Sequence, residues 1–190
     1  MSSVAIIEGF AGGPRHTKLF RKELVNAGFR ITKDRRSADI IIAHSAGIYA
    51  IPKNTKAKLL VLIGPTYWPG NSLLNRAHKH RQSHRKHYLP EFGWKFYAWK
   101  KWLEAYYFFV RHIYMWIGIF NNNKLGKIED LSNAKNRKTV IIRNLDDPFT
   151  SPSIKDILKD KSVEYLEMPG IHDDYTVHPK PYIDLLLKEI

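Results

Sequence analysis

Six short apolar runs punctuate the chain, at Val4 to Ile7, Phe29 to Thr32, Ile40 to Ala43, Leu59 to Ile63, Thr139 to Ile142 and Val163 to Leu166. Their length and β-branched content suit buried strands. Between them the spacing changes to a helical period. Thr17 to Ala27 carries Leu19, Phe20, Leu24 and Val25 on one side and stops at Gly28, a fitting C-terminal residue. Pro179 to Glu189 closes the chain with Tyr182, Ile183, Leu185, Leu186 and Leu187. Strands alternating with helices predict an α/β fold, a mostly parallel sheet of about six strands with helices on both faces. One connection is too short for that scheme. Only Lys33 to Ala38 joins the second run to the third, whereas a parallel crossover usually takes about a dozen residues. Either Phe29 to Thr32 is not a full strand, or this edge of the sheet is pared down.

The strand ends carry the chemistry. Asp39-Ile40-Ile41-Ile42-Ala43-His44-Ser45-Ala46-Gly47 is an apolar run that breaks on a serine flanked by small residues. A sharp strand-to-helix turn leaves no room for side chains two residues either side of an exposed nucleophile, and Ala43 and Gly47 meet that demand. A strand that ends in ordinary turn residues would also look like this. Downstream, Thr139 to Ile142 runs into Asn144-Leu145-Asp146-Asp147-Pro148-Phe149-Thr150-Ser151, and Val163 to Met168 runs into Pro169-Gly170-Ile171-His172. A carboxylate and a histidine thus each follow a strand.

Serine, acid and histidine in that chain order resemble the α/β-hydrolases, here a small single-domain serine hydrolase. The resemblance covers most of the sequence. Ile6-Ile7-Glu8-Gly9-Phe10-Ala11-Gly12-Gly13 is similar to the family's first-strand turn, Ala43 to Gly47 to its elbow, Asp147 to Ser151 to its acid loop, and Pro169 to His172 to its histidine loop. Glu8 stands where the family usually has His, and Ala43 where it more often has Gly. The resemblance implies Ser45 as nucleophile, His172 as general base and Asp147 as its orienting acid, with adjacent Asp146 the competing choice. It also implies backbone N–H groups of Phe10 and Ala46 as oxyanion donors, each worth about 2.7–4 kcal/mol in comparable sites.

An insertion separates the fourth and fifth strands. Residues 65–135 exceed what a minimal sheet needs, so the expected division is a core of 1–64 and 136–190 with a cap, or lid, of 65–135. Arg76 to His87 is strongly basic, and Phe92 to Phe120 holds Trp94, Trp99, Trp102 and Trp116, four of the five tryptophans. On a helical wheel Lys100, Lys101, Glu104, Arg111 and His112 gather on a narrow side, leaving a wide aromatic face. That face could pack on the core, cover an acyl pocket through Trp94, Trp99 and Trp102, or lie against a membrane surface. Leu103 to Phe120 does not read as a membrane span, because it is short and contains Glu104, Arg111 and His112.

Composition narrows the chemistry further. The 190 residues make one domain, enough to bury about 70% of the unfolded surface. There is no cysteine, so disulfides, thiolate metal sites and Cys nucleophiles are excluded. No H-E-x-x-H spacing occurs among the histidines from His78 to His112, and neither a metal nor a cofactor is expected. His44 reads as a support residue, His16 and His178 as capping or surface groups. A net charge of +13 invites an anionic partner. No nucleic-acid module accompanies it, so an acyl ester substrate and peripheral contact with an anionic membrane are expected ahead of nucleic acid. The N-terminus lacks a signal-peptide pattern, which suggests the cytoplasm. The expected activity is hydrolysis of an acyl ester or thioester with an apolar group. The alternative is an inactive hydrolase scaffold whose cap binds membrane, nucleic acid or a protein.

Overall fold

The computed structural model describes residues 1–9, 12–67, 73–111, 137–158 and 163–190. Its centre is a sheet of strands β1 (Ser3–Ile7), β2 (Arg30–Thr32), β3 (Ile40–His44), β4 (Leu59–Ile63), β5 (Lys138–Asn144) and β6 (Val163–Met168), in the order β2-β1-β3-β4-β5-β6. Every pairing is parallel. Helices are α1 (Lys18–Asn26), α2 (Leu73–Arg111), α3 (Ile154–Ile157) and α4 (Pro179–Lys188). Six-residue and three-residue 3-10 turns follow β3 (Ser45–Ala50) and precede α4 (Asp174–Thr176).

Alternation along the strands divides the core. Val4, Ile6, Ile40, Ile42, Val61, Ile63, Val140 and Ile142 face Phe20 and Leu24 of α1 and Tyr182, Ile183 and Leu186 of α4. Ala5, Ile7, Ile41, Ala43, Leu60, Leu62 and Ile141 face the other way, onto Ile48, Ile51, Ile154 and Leu158. Both faces are therefore apolar, as a wholly parallel sheet requires. Leu19 and Val25, grouped with the buried stripe on sequence grounds, are 42% and 53% exposed. They sit one position off the stripe on a helix that buries only Phe20 and Leu24.

The short crossover is a pared-down edge. β2 is a real strand of three residues, ending with Thr32 beside Ala5, and β3 begins with Ile40 beside Val4. The chain descends by one residue of register before it pairs again, so residues 33–39 suffice and no helix is needed. Asp39 anchors the entry to β3, accepting from the backbone N–H of Ser3 at 2.8 Å and its hydroxyl at 2.7 Å.

The insertion after β4 is helical over its described part. Helix α2 bends at Gly93, whose φ of 76° lies outside the helical region, three residues after Pro90. A proline lacks the N–H of the helical ladder, and glycine takes the left-handed backbone at no steric cost. Of the described residues, no helix is long and apolar enough to cross a membrane. The remainder of the expected cap, and Trp116 with it, lies outside them.

Truncating Leu24, fully buried between sheet and α4, to Ala should cost about 2–5 kcal/mol of unfolding free energy. Val25→Ala, on the exposed side of the same helix, should change it by less than about 0.5 kcal/mol. Urea unfolding of the two variants checks the assignment, and equal losses would contradict it.

Candidate active site

Ser45 follows β3 in a strained turn. Its φ is 54°, and among the described residues it is the one non-glycine with positive φ. The left-handed backbone costs an ordinary residue about 1–2 kcal/mol, so it persists only where the surroundings impose it. Here they do. A Cβ on Gly47 would lie 2.5 Å from the Ile7 carbonyl oxygen, and one on Gly9 would lie 2.7 Å from Ser45 Cβ. The turn is thus packed against the end of β1 with no space for side chains, while Ala43 is fully buried beneath it. The Ser45 and Thr66 hydroxyl oxygens are 3.3 Å apart.

Pairing of His44 with Ile63 sets Ser45 beside Gly64 at the top of β4. A Cβ on Gly64 would meet Asp147 Oδ2 at 2.8 Å and His172 Nδ1 at 3.1 Å. Four loops therefore converge around one glycine. His172 Nδ1 lies 2.9 Å from Asp147 Oδ1. Asp147 is further held by the Phe149 N–H at 2.7 Å and the Thr150 hydroxyl at 2.8 Å, and Thr150 also donates to Pro65 O at 2.9 Å. Arg143, at the end of β5, grips the loop by donating to Thr150 O at 3.0 Å and Leu145 O at 3.2 Å. Asp146 instead pairs at 3.1 Å with His87 of α2, its side chain 52% exposed. Of the two acids, Asp147 is the one brought to His172. Ser45, Asp147 and His172 are each less than one-tenth exposed.

The remaining sequence candidates divide. Ala46 follows Ser45 in the turn and is buried; Phe10 lies outside the described residues. His44 is a support residue: its Nε2–H donates to His172 O at 2.9 Å, and its ring stacks 4.6 Å from that of His172 and 4.9 Å from Tyr175. Burial first, and His172 second, push His44 well below the usual histidine range, so it is neutral. Glu8 ties the first-strand turn to α1 through Arg21 and the Thr17 hydroxyl. His178 is a half-exposed link between Asp174 at 3.0 Å and Glu91 at 2.8 Å.

Trp94, Trp99 and Trp102 are 66%, 47% and 58% exposed, whereas Tyr97, Leu103 and Tyr107 of the same helix are buried, so the aromatic face is divided between core and surface. The charged stripe turns inward. Lys100 is 1% exposed and its Nζ lies 2.7 Å from Asp173 Oδ2. Asp173 also meets His84 Nε2 at 2.8 Å, His16 Nε2 at 3.2 Å and the Tyr88 hydroxyl at 3.0 Å. Beyond it, Glu104 lies 3.3 Å from His84 Nδ1 and 2.7 Å from Lys101 Nζ. His16 is thus buried in a charge cluster, contrary to its reading as a capping or surface group. The basic segment likewise has two faces: His80 and His84 turn in, while Arg81, Arg85 and Lys86 are exposed.

Electrostatics follow from this burial. Desolvation opposes the charge on Asp173, yet His84 and Lys100 hold it well below the usual carboxylate range. Burial likewise works against the charge on His84, but Asp173 and then Glu104 outweigh it and raise its pKa. His16 is lowered by burial and Lys100, His80 well lowered by burial and His84. Two sets of donors, His80, His84 and Glu104, and His16, Glu104 and Asp173, come within 4.8 Å of one another. Either set could in principle hold a divalent cation. Ammonium groups already stand there, since Lys101 Nζ is 2.8 Å from His84 Nδ1 and Lys100 Nζ sits on Asp173. Sequence reasoning missed Asp173, His16 and His84 as partners. The narrow stripe holding Lys100 and Glu104 was the visible signal.

No family model matches the chain, and neither does any curated protein. Solved structures do resemble it. An esterase from Exiguobacterium antarcticum superposes with a TM-score of 0.68 at 9% identity, over 100% of this chain and 91% of that one. The fold is that of the α/β-hydrolases. A bromoperoxidase from Bacillus anthracis gives a TM-score of 0.65 at 12% identity over 98% and 90% of the two chains. The thioesterase domain from the curacin biosynthetic pathway gives 0.62 at 10% identity, again over 98% and 90%. Within this α/β-hydrolase fold the helical α2 follows β4, as the sequence pattern placed it.

The lowered histidines give folding stability a defined pH dependence. His16, His44 and His80 are below their ordinary value when folded, so their contribution is complete above about pH 6.5 and is lost as pH falls below it, when the unfolded chain takes up the protons. His84 is raised, so its contribution is complete below about pH 6.5 and is lost as pH rises through its folded value. His178, raised by Asp174 and Glu91 against its partial burial, acts in the same sense as His84, so three groups act on the acid side and two on the alkaline side. Unfolding free energy should peak near about pH 6.5–7 and fall more steeply toward pH 5 than toward pH 8. Urea titrations across that range test it, and a profile flat below pH 6.5 would contradict the burial of neutral histidines.

Proposed function

We propose that the protein is a serine hydrolase acting on an acyl ester or thioester with an apolar group, in which Ser45, His172 and Asp147 form the catalytic set. The observation that carries this reading is the strained backbone of Ser45, held by Gly9 and Gly47 at a strand end beside the His172–Asp147 pair. Strain of that kind, at a buried hydroxyl, is used to present a nucleophile. Ser45 Oγ attacks the carbonyl carbon. His172 takes the hydroxyl proton at Nε2 and later returns it to the leaving group, while Asp147 fixes the tautomer with the proton on Nδ1. Backbone N–H groups of Ala46 and Phe10 stabilise the oxyanion. Water then releases the acyl group by the same route. The esterases and thioesterase of like fold favour a small acyl substrate over other reaction classes, and residues 65–135 act as the cap.

Ser45→Ala should lower turnover of a short soluble ester by about 10⁴-fold or more and abolish labelling by a fluorophosphonate. Asp147→Asn should lose about 10⁴-fold, because it favours the wrong histidine tautomer; Asp146→Asn should stay near the parent. Undiminished turnover in Ser45→Ala would refute the nucleophile.

A second reading rests on the outward face of α2. Arg81, Arg85 and Lys86 are exposed, and so are Trp94 and Trp102, a combination suited to peripheral contact with an anionic membrane. Replacing the three cations by Gln should weaken binding to phosphatidylserine vesicles and leave short-ester turnover unchanged. Equal vesicle binding before and after the change would leave this face merely solvated.

A further inference from the structure

A cavity of about 530 Å³ opens between α1 and the cap, away from Ser45, Asp147 and His172. Two helical stripes form it. Arg15 leads into a row on α1 with Lys18 and Lys22, while α2 contributes Phe92, Phe96 and Trp99. Lys18 and Lys22, four apart, share one face of α1, and Phe96 and Trp99, three apart, share one face of α2 beyond its bend at Gly93, where Phe92 lies against Phe96. The aromatic wall is continuous: ring centroids are 4.6 Å apart for Phe92 and Phe96 and 5.8 Å for Phe96 and Trp99.

Charge on the two sides is unbalanced. Among the described residues, no acidic side chain lines the cavity, and the side chains of Arg15, Lys18 and Lys22 meet no carboxylate. Lys100 at the inner end is already committed to Asp173. The volume is within the range of sites for one small molecule, about 300–1,000 Å³. A neutral apolar ligand would leave three cations unanswered, and a bare inorganic ion would leave the aromatic wall wet. From this arrangement we infer that the cavity binds a small amphipathic organic anion, its carboxylate or phosphate among Arg15, Lys18 and Lys22 and its aromatic or acyl body along Phe92, Phe96 and Trp99.

The site is independent of the proposed hydrolysis. 1-Anilinonaphthalene-8-sulfonate, an apolar anion that fluoresces when removed from water, is the probe, with neutral N-phenyl-1-naphthylamine as its uncharged counterpart. The anion should bind the parent protein and Ser45→Ala alike, and more tightly than the neutral probe. Lys18→Gln with Lys22→Gln should weaken the anion about fivefold, the loss of two partly screened charges, and leave the neutral probe unaffected. Trp99→Ala should weaken both. These positions are exposed, and circular dichroism confirms that the variants fold. Decanoate and decyl phosphate should displace the probe where decanol does not, and their relative strength distinguishes carboxylate from phosphate. Unchanged anion affinity in the double Gln variant, full binding by Trp99→Ala, or equal displacement by decanol would overturn the inference.

Discussion

A buried carboxylate next to His172 governs how helix α2 meets the core. Asp173 is 2% exposed, and an ion of that kind cannot remain charged in a low-dielectric interior without close counter-charges. Lys100, His84, His16 and Tyr88 surround it, three from α2 and one from the loop after β1. Removing one partner from such a set typically costs about 3–5 kcal/mol, because the remaining charge is left uncompensated. The demand of this single carboxylate therefore draws both halves of the bent helix α2 to the backbone that carries His172. It also explains why the helix turns its lysines inward.

The opposite constraint, absence of bulk, shapes the Ser45 side. Gly9, Gly47 and Gly64 each face an atom that a Cβ would strike: Ser45 Cβ, the Ile7 carbonyl and the Asp147 carboxylate. The parallel sheet brings the ends of β1, β3 and β4 side by side, so these close approaches meet at one point. Charge fixes the histidine loop from one side and close packing fixes the serine turn from the other. Between them His44 contributes to both, ending β3 next to Ser45 in sequence and donating to the backbone of His172.

Much of the framework was legible in the sequence because it depends on local pattern. Runs such as Ile40-Ile41-Ile42 can be buried on both faces, and the structure buries them so. Ser45, Asp147 and His172 were legible from their places after strand ends, and small residues at 43 and 47 follow from the geometry of the turn. What stayed hidden depends on distant residues. The inward turn of Lys100 and Glu104 could not be read from a helical wheel, which gives the stripe and not the side it faces. The usual rule buries apolar side chains; here Asp173 draws Lys100 in beside the buried Tyr97, Leu103 and Tyr107. His16 was misread for the same reason, since nothing near it in sequence announces a carboxylate from the far end of the chain. The three-residue β2 was equally ambiguous, because whether a short link can cross β1 depends on register.

The inward turn of Lys100 has a further consequence for the outer surface of α2. With Lys100 and Glu104 turned inward beside Leu103 and Tyr107, the flank and far side of the helix face elsewhere, and Trp94, Trp99 and Trp102 emerge exposed. Large apolar surface left in water is unfavourable by about 25 cal/mol per Å², so an exposed aromatic row stands at a cost that burial elsewhere must offset. Part of it is already covered: Phe92 stacks on Phe96 and His178, and Trp102 on Tyr106. Trp99 meets Phe96, and across the cavity α1 presents Lys18 and Lys22 beside Leu19. The buried charge and the aromatic groove are therefore two sides of one helix, and satisfying the first leaves the second open.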